Sequence, residues 1–549
     1  MEIRFCGAAR QVTGSMFLLE GSGHSILIDC GLAQGEDERQ MGTAFPFKPS
    51  QIEAVLLTHA HIDHSGRLPQ LVKEGFCGTI YATGATKELC SIMLLDSAHI
   101  QESEAEWKSR KAKRSGLKAV EPLYTQEDAY EAMDHFQTVE YDQMLTLAED
   151  LHVRFIDAGH LLGSASLEIF LEEGGKTKKI VFSGDIGNLD QPIIKDPDYV
   201  EKADVVVMES TYGDRRHEKK VMGLSERARA LAEITDRTFK RGGKLIIPSF
   251  AVGRTQEILY LYRIISERGM LDYRPTVFLD SPLAVRATRI FKDAIRGDYY
   301  DEEAMELVAK GLNPVDFPGL VKTQDVNDSI ALNSRKEPCV IISSSGMCDA
   351  GRIKHHLKHN LYRSECTVLF VGYQAAGTLG RSIVDGARHV TIFGEQIDVK
   401  AEIASLPGLS GHADVDGLEL WLRNIGQRPE KVFVVHGDEE SALSFTKRIR
   451  SLGYNAVAPK LLESYDLDKD FELGQEEIIV DRNEKEIKAA RVRLASGEEA
   501  LKRLLERFDQ AAASLDLKDE KRTVRLVNAI GRLASDLEDL SVKWKSDPD

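Results

Sequence analysis

Long apolar runs are missing from this 549-residue chain. No stretch of about 18 consecutive apolar residues occurs, which argues against a membrane-spanning helix. Residues 1–5 do not form a basic region followed by an apolar one, so we expect no secretory signal. The seven cysteines form no CxxC pair, and their odd number argues against a disulfide framework. These absences predict a protein of the reducing cytoplasm that does not bind membranes.

An excess of basic residues is also missing. The formal net charge is −17 at pH 7, whereas proteins that bind nucleic acid usually carry a basic surface. This charge does not exclude such a substrate, because bound metal ions and local arginines can attract phosphates on an acidic protein. The chain is longer than the roughly 250–300 residues that usually share one hydrophobic core, so we expect several domains.

Four metal-binding side chains lie within six residues, immediately after the apolar segment 54–57. They are His59, His61, Asp63 and His64. Zinc and similar divalent ions bind imidazole and carboxylate groups, and an open zinc site activates water near neutral pH. His59 and His61 are two residues apart, so at an extended strand end their side chains point to the same side. This density predicts a binuclear metal site and hydrolytic chemistry.

Other candidate ligands stand at the ends of predicted strands. Apolar runs at 25–28, 153–156, 179–182, 205–208 and 431–435 lead to Asp29, His160, Asp185, Glu209 and His436, respectively. If these strands lie in packed sheets, their carboxyl ends can bring the polar groups together along one edge. We therefore expect one site that is built from distant parts of the chain.

The stretch between Glu209 and His436 predicts an inserted domain. Apolar runs at 244–247, 276–279, 339–342 and 367–370 are each followed by a Gly/Ser-containing turn and a helix-like segment. This rhythm is typical of a parallel sheet, which binds ligands at its strand ends. After about residue 466 the sequence becomes charged and Leu/Ala-rich with helical spacing, which predicts amphipathic helices that pack on the body or pair between subunits.

The HxHxDH string, together with Asp29, His160, Asp185 and His436, resembles the metallo-β-lactamase fold. The segments 209–215 (ESTYGDR), 409–414 (LSGHAD) and 435–438 (VHGD) resemble motifs A, B and C of the β-CASP nucleases. The resemblance implies an α/β fold, an αββα sandwich with an inserted β-CASP domain on a parallel sheet. It places the metallo-β-lactamase domain at 1–212 and 391–465, the insertion at 213–390 and a helical C-terminal extension at 466–549.

The resemblance also implies a role for each candidate ligand. His59, His61 and His160 bind one metal ion, Asp63, His64 and His436 bind the other, and Asp185 bridges the two. Asp29 orients the HxHxDH loop, as carboxylates near metal-bound imidazoles generally do. The expected cofactor is a pair of Zn²⁺ ions, with Mn²⁺ as the alternative.

In the implied mechanism, a hydroxide between the metal ions attacks phosphorus and a proton donor meets the leaving oxygen. His412 is our candidate donor. Glu209 is its expected partner, because an adjacent negative charge favours the protonated imidazole. The predicted catalytic residues are therefore Asp185, Glu209 and His412.

Three Gly/Ser-rich turns of the insertion supply candidate RNA-binding residues. Each offers backbone N–H groups near a helix start plus an arginine, although such turns are structural more often than not. They resemble segments that face the active-site cleft in β-CASP insertions. Together with motif B they give Ser249, Arg254, Ser344, Ser345, Gly346, Arg352, Gly377, Thr378, Arg381, Ser410 and Gly411.

The family pattern implies a zinc-dependent ribonuclease that cuts single-stranded RNA and leaves 5′-phosphate and 3′-hydroxyl ends. RNA is favoured over DNA because His436 stands at motif C, and a homodimer is the expected assembly. We favour an endonuclease over a 5′-exonuclease, but the same catalytic residues serve both. Two alternatives stay open: a hydrolase of small esters or thioesters, and a non-catalytic RNA-binding paralogue.

Overall fold

The computed structural model describes residues 1–35, 37–114, 119–217, 223–375, 377–406 and 408–469. From residue 470 onwards, the predicted helical extension lies outside the described residues. Within these ranges, no helix is both long and apolar enough to cross a membrane. All seven cysteines are free thiols, and all except Cys77 are buried.

The strands are numbered in chain order. They are β1 (Glu2–Phe5), β2 (Phe17–Gly21), β3 (His24–Ile28), β4 (Ala54–Leu56), β5 (Thr79–Thr83), β6 (Phe136–Val139), β7 (Met144–Ala148), β8 (Leu151–Asp157), β9 (Ala165–Glu173), β10 (Lys176–Phe182), β11 (Val205–Glu209), β12 (Leu245–Pro248), β13 (Val277–Leu279), β14 (Leu320–Lys322), β15 (Val340–Ser343), β16 (Thr367–Phe370), β17 (His389–Ile392), β18 (Glu395–Asp398), β19 (Glu402–Ser405), β20 (Lys431–Val435), β21 (Ala456–Val457) and β22 (Ser464–Asp466).

The α-helices are numbered in the same way. They are α1 (Asp37–Met41), α2 (Ile62–Ser65), α3 (Leu68–Lys73), α4 (Gly84–Arg114), α5 (Gln126–Asp134), α6 (Leu224–Lys240), α7 (Arg254–Glu267), α8 (Pro282–Asp293), α9 (Glu302–Ala309), α10 (Val326–Ser334), α11 (Ile353–Asn360), α12 (Leu379–Val384), α13 (Val415–Arg423) and α14 (Glu439–Ser451). Short 3₁₀ helices lie at Pro49–Gln51 and Ala294–Arg296.

Two seven-stranded sheets form the body of the sandwich. Their strand orders are β22-β1-β2-β3-β4-β5-β6 and β21-β20-β11-β10-β9-β8-β7. Alternate side chains of both sheets meet in a shared core, where the Phe5 ring centroid lies 4.9 Å from that of Phe433 and the Phe17 centroid 5.9 Å from that of Phe182. Burying each such ring contributes roughly 1.5–3 kcal/mol relative to leaving it exposed.

Helices cover the outer face of each sheet. Val55 and Ile80 of the first sheet share a core with Leu71 of α3 and Leu89 of α4. On the second sheet, Val206 and Val434 share a core with Trp421 of α13 and Phe445 of α14. The alternation of inward and outward residues follows from the two-residue repeat of a strand. The predicted αββα sandwich is confirmed.

The strand directions bring the candidate ligands to one edge. Strand β11 runs parallel to both β10 and β20. Because β9 is antiparallel to both β8 and β10, β8 runs in the same direction as they do. In the other sheet, β3 and β4 are parallel. The carboxyl ends of β8, β10, β11 and β20 therefore lie along one edge of the second sheet, as the sequence predicts.

The insertion contains a third sheet with the order β14-β13-β15-β12-β16-β19. Every neighbouring pair in it is parallel, which confirms the prediction of a parallel sheet. Strand β19 pairs with β16, so this sheet extends to residue 405, past the predicted boundary at 390. The hairpin of β17 and β18 forms a separate antiparallel pair.

Candidate metal centre and active site

The first predicted ligand set converges around one point. His61 Nδ1 lies 3.0 Å from His59 Nε2 and 3.2 Å from His160 Nε2. Asp185 Oδ2 lies 3.4 Å from His59 Nε2 and 3.5 Å from His160 Nε2. Ligand atoms about 2.0–2.1 Å from a tetrahedral zinc ion are separated from one another by about 3.3–3.4 Å. The set therefore has the dimensions of a zinc coordination shell.

The second set lies on the other side of Asp185. His64 Nε2 is 3.0 Å from His436 Nε2, which is 3.6 Å from Asp63 Oδ2. Asp185 Oδ1 lies 3.2 Å from His64 Nε2 and 3.5 Å from His436 Nε2. This buried oxygen accepts no hydrogen bond from any described residue, which is costly for a carboxylate unless a cation binds it. Asp185 thus presents a different oxygen to each set.

The outer nitrogens of the second set fix the direction of the inner lone pairs. His64 Nδ1 lies 2.7 Å from Asp29 Oδ2 and donates to it, which leaves Nε2 as an acceptor. Thr211 Oγ1 donates to the His436 carbonyl at 3.2 Å, so it accepts from His436 Nδ1 at 3.0 Å. These tautomers are inferred from the hydrogen-bond partners. In these neutral forms the two Nε2 lone pairs point at each other across 3.0 Å, so a cation that displaces any proton between them can bind both nitrogens.

The pKa shifts agree with a cation-binding centre. Burial lowers the pKa of His59 and His160 well below the ordinary value, which keeps both rings in the neutral, ligating form. Burial opposes ionisation of Asp185, but the surrounding histidines hold the pKa of its carboxyl well below the usual range. Burial also opposes protonation of His64, yet Asp185 and Asp29 raise its pKa well above the ordinary value. The negative charge that attracts a proton there equally attracts a metal ion.

Asp29 anchors the HxHxDH loop through hydrogen bonds to Thr58 and His64. Its Oδ1 accepts from the Thr58 amide at 2.8 Å, and its Oδ2 accepts from the Thr58 hydroxyl at 2.9 Å. Asp29 and His436 both follow a strand directly and have left-handed φ values of 57° and 47°. Non-glycine residues adopt this region rarely, and holding one there costs of order 1–3 kcal/mol. Both side chains are held by hydrogen bonds at this edge, Asp29 to His64 and His436 to Thr211.

His412 and Glu209 form a pair beside the metal centre. His412 Nδ1 lies 3.1 Å from Glu209 Oε1 and 3.9 Å from Asp185 Oδ2. Burial opposes protonation of His412, but Glu209 and Asp185 outweigh it and raise the pKa of the imidazole to about 9. Bound cations would act in the opposite direction. The His412 side chain is 22% exposed, so its free Nε2 can reach a substrate.

Sequence reasoning missed several supporting residues. His217 Nε2 lies 3.0 Å from the His412 carbonyl, and the His217 amide donates to Asp414 at 3.0 Å. Thr58 binds Asp29, and Thr211 binds the ligand His436. Thr58 precedes His59 and Thr211 lies two residues after Glu209, so their positions beside predicted site residues gave only a weak indication of their role. His217 lies just beyond motif A, and no spacing rule connects it with the loop that it supports.

The loop of motif B and the first turn of the insertion meet beside His160. A Cβ atom on Gly411 would lie 3.4 Å from His160 Cε1 and 3.8 Å from Arg254 Nη2. Arg254 also pairs with Glu257 at 2.7 Å. The Ser410 hydroxyl donates to the His412 carbonyl at 3.2 Å. Of the predicted RNA-binding residues, Arg254, Ser410 and Gly411 are thus brought to the metal centre.

The other predicted RNA-binding residues lie in turns at the carboxyl edge of the parallel sheet. Ser249 is buried after β12, and the Ser344 and Ser345 hydroxyls contact Ser281 Oγ and the Ala350 carbonyl, respectively. The Gly346 carbonyl accepts from Gln374. Gly377 precedes Thr378, whose hydroxyl caps α12 by accepting from the Arg381 amide. Arg381 is exposed and pairs with Asp385. Contact of these residues with RNA stays a prediction.

Arg352 lies in a different environment from Arg381. Its Nη1 lies 2.7 Å from Oδ1 of the fully buried Asp280, and its Nη2 donates to the Gln324 carbonyl at 2.8 Å. Asp280 Oδ2 also contacts His356 Nε2 at 2.6 Å and the Ser329 hydroxyl at 2.6 Å. The guanidinium is therefore part of a buried polar network that joins β13, α10 and α11.

Replacing Arg352 by alanine should destabilise the fold. Removing one partner of a buried ion pair typically costs about 3–5 kcal/mol, and Asp280 Oδ1 would lose its guanidinium partner while Oδ2 keeps His356 and Ser329. We expect the free energy of unfolding in urea to fall by that amount. Arg381→Ala, which breaks only an exposed pair, should change it by less than about 1 kcal/mol. Equal stability of the two variants would contradict the anchoring role of Arg352.

Two half-exposed aromatic rings follow neighbouring strands of the insertion. Phe250, after β12, is 47% exposed, and Tyr373, after β16, is 52% exposed. A Cβ atom on Gly346 would lie 3.1 Å from the Phe250 ring. In the same turn as Phe250, a Cβ atom on Gly253 would lie 3.1 Å from Leu161, the neighbour of His160. Aromatic faces at this edge can stack on unpaired bases.

Comparisons with known proteins match three family descriptions to the chain. Residues 9–197 match the Metallo-beta-lactamase superfamily, residues 255–383 the Beta-Casp domain, and residues 396–459 the Zn-dependent metallo-hydrolase RNA specificity domain. Ribonuclease TTHA0252 of Thermus thermophilus is 39% identical over 447 residues, covering 81% of this chain and 95% of the relative. The RNase J-like protein of Methanocaldococcus jannaschii is 30% identical over 448 residues, with the same shares covered. Transcription termination factor FttA of Methanosarcina mazei is 31% identical over 458 residues, covering 81% of this chain and 68% of the relative.

Proposed function

Because the chain belongs to the β-CASP ribonuclease family of the metallo-β-lactamase fold, we propose that it hydrolyses phosphodiester bonds in single-stranded RNA with two zinc ions. The products in this proposal are 5′-phosphate and 3′-hydroxyl ends. The supporting observation is the position of Asp185, whose two oxygens face two separate ligand sets beside the His412–Glu209 pair. Manganese is the alternative ion.

Each side chain of the site has a defined task in this reaction. The His59 set, which includes Asp185, and the set of Asp63, His64 and His436 would each hold one ion, and Asp185 Oδ1 faces the second set. When bound, the ions supply Lewis-acid activation of water and stabilise charge on the phosphoryl oxygens. His412 donates a proton to the leaving 3′-oxygen, and Glu209 keeps that ring charged and oriented. Asp29 restrains the HxHxDH loop and keeps the proton of His64 on Nδ1, so that Nε2 can bind a metal ion.

Substrate recognition belongs to the edge of the insertion. Arg254 lies next to Gly411 and can bind a phosphate close to the metal ions. Phe250 and Tyr373 offer exposed rings for unpaired bases, which favours single strands over duplexes. We propose Ser249, Ser344, Ser345, Gly346, Gly377, Thr378, Arg381 and Ser410 as further contacts of the RNA strand, whereas Arg352 acts by holding its turn in place.

The domain limits are part of the proposal. We propose residues 1–212 and 391–465 as the metallo-β-lactamase domain and 213–390 as the β-CASP insertion, with β19 of the later segment pairing with β16 of the insertion. Residues 466–549 form the extension. An endonuclease, a homodimer and a cytoplasmic location complete the functional prediction.

Zinc-loaded protein should be tested on circular single-stranded RNA, linear 5′-monophosphate RNA, duplex RNA and a small chromogenic ester. We expect it to open the circle, cut the linear strand and leave the duplex nearly intact, and chelator treatment should abolish both cleavages. Hydrolysis of the ester with all RNA intact would support the small-ester hydrolase. RNA binding without cleavage at full zinc occupancy would support the non-catalytic paralogue. Cleavage of only the linear strand would replace the endonuclease by a 5′-exonuclease.

A further inference from the structure

Gln191 joins the two loops that carry His160 and His412. It lies between β10 and β11, and its side chain is 7% exposed. Its amide nitrogen Nε2 donates to the Gly411 carbonyl at 3.0 Å and to the Gly159 carbonyl at 3.3 Å. Gly159 precedes His160, and Gly411 precedes His412. One buried side chain thus contacts the residue in front of a metal ligand and the residue in front of the candidate acid.

The Gly411 carbonyl is the common point of this arrangement. Besides Gln191, it accepts from His160 Nδ1 at 3.0 Å and from the Asn188 amide at 3.3 Å. The bond from Nδ1 leaves the lone pair of His160 on Nε2, which faces Asp185 Oδ2 at 3.5 Å. The direction of this carbonyl therefore decides how His160 presents its lone pair. A shift of Gly411 would also move His412, which follows it in the chain.

We propose that Gln191 is a positioning residue that keeps the Gly411 carbonyl aligned for His160 and holds the His412 loop beside the metal centre. An amide suits this task because one neutral nitrogen carries two N–H groups and both acceptors are carbonyl oxygens. A carboxylate of the same size would be repelled by both oxygens. A leucine would fill similar volume and make neither bond. The metal-binding part of this inference needs only the ligand set, and the turnover part rests on the proposed function.

The test compares zinc affinity in Gln191→Leu and in the matched control Gln70→Leu. Gln70 is also buried, and its amide also donates to a carbonyl, that of Thr43 at 2.7 Å. Loss of groups that orient a ligating histidine typically weakens metal binding or activity by about 10–100-fold. We expect that loss for one zinc ion of Gln191→Leu in competition with a chromophoric chelator, and no change for Gln70→Leu. On RNA, kcat should fall while KM stays unchanged.

A double-mutant cycle separates this role from a general loss of stability. His160→Ala removes the ligand through which Gln191 is expected to act, so adding Gln191→Leu to it should not weaken zinc binding further. Unchanged affinity for both ions in Gln191→Leu overturns the inference, as does an additional loss in the double variant. If the leucine variant does not fold, Gln191→Glu serves in its place with the same expected outcomes. If Gln191→Leu binds zinc more weakly but the wild-type protein cleaves no RNA, the metal-binding part of the inference is retained and the proposed function is refuted.

Discussion

Replacing His412 by alanine should lower turnover on single-stranded RNA by about 100- to 10,000-fold, the contribution typical of a general acid. The ring lies against Glu209 and only 3.9 Å from Asp185, but it belongs to neither set of converging ligand atoms. Metal content should therefore stay at the wild-type value. Elemental analysis and single-turnover cleavage on the same preparation measure both quantities.

The matched control for this variant is His389→Ala. His389 is exposed on the β17–β18 hairpin, where its Nδ1 pairs with Asp398 at 2.9 Å. This change removes the same kind of ring at a position outside all converging ligand groups, so turnover and metal content should both be unchanged. Loss of a metal ion from His412→Ala would show that the residue is a ligand. Wild-type turnover in His412→Ala would show that His412 is not the general acid.

Replacing Asp185 by asparagine should remove at least one metal ion and reduce turnover by more than about 100-fold, the upper end of what loss of an outer-shell partner costs. The carboxylate is the residue shared by both ligand sets, with Oδ2 toward His59 and Oδ1 toward His64. Asparagine has one oxygen and no charge, so it cannot serve both. Zinc titration followed by elemental analysis measures the loss.

Asp301→Asn provides the same chemical change elsewhere. Asp301 Oδ1 caps α9 by accepting from the Ala304 amide at 2.6 Å, a bond that asparagine can also make. We expect this variant to keep both ions and full turnover. If Asp185→Asn binds two ions with wild-type affinity, the bridging role of Asp185 is refuted.

The convergence of the candidate ligands was largely predictable because its signals are local in the sequence. HxHxDH combines four ligands on one strand end and one helix start, and Asp185 and His436 each follow an apolar run closely. Parallel strands that end at the same edge then bring the groups together, as the pairings of β10, β11 and β20 confirm. Chemistry and strand direction together sufficed for this part of the structure.

The supporting contacts were not predictable in the same way. Whether an arginine after a Gly/Ser turn points to solvent or to a buried carboxylate depends on a residue elsewhere in the chain, and Arg352 meets Asp280. Gln191 and His217 likewise contact backbone carbonyls that come close only in the folded protein. Strand β19, which pairs with the sheet of the insertion beyond the predicted boundary at 390, has only four residues and therefore carries little periodic signal.

The ligand set reaches from His59 in the first sheet to His436 after β20 in the second, with the whole insertion between them in the chain. A fragment of the chain that starts at residue 1 and ends inside the insertion therefore contains His59 but lacks His436. During synthesis, a growing polypeptide consequently lacks the last histidine until residues 431–436 have left the ribosome and paired beside β11. A product that stops earlier would lack one member of the second ligand set and could not assemble the complete candidate centre.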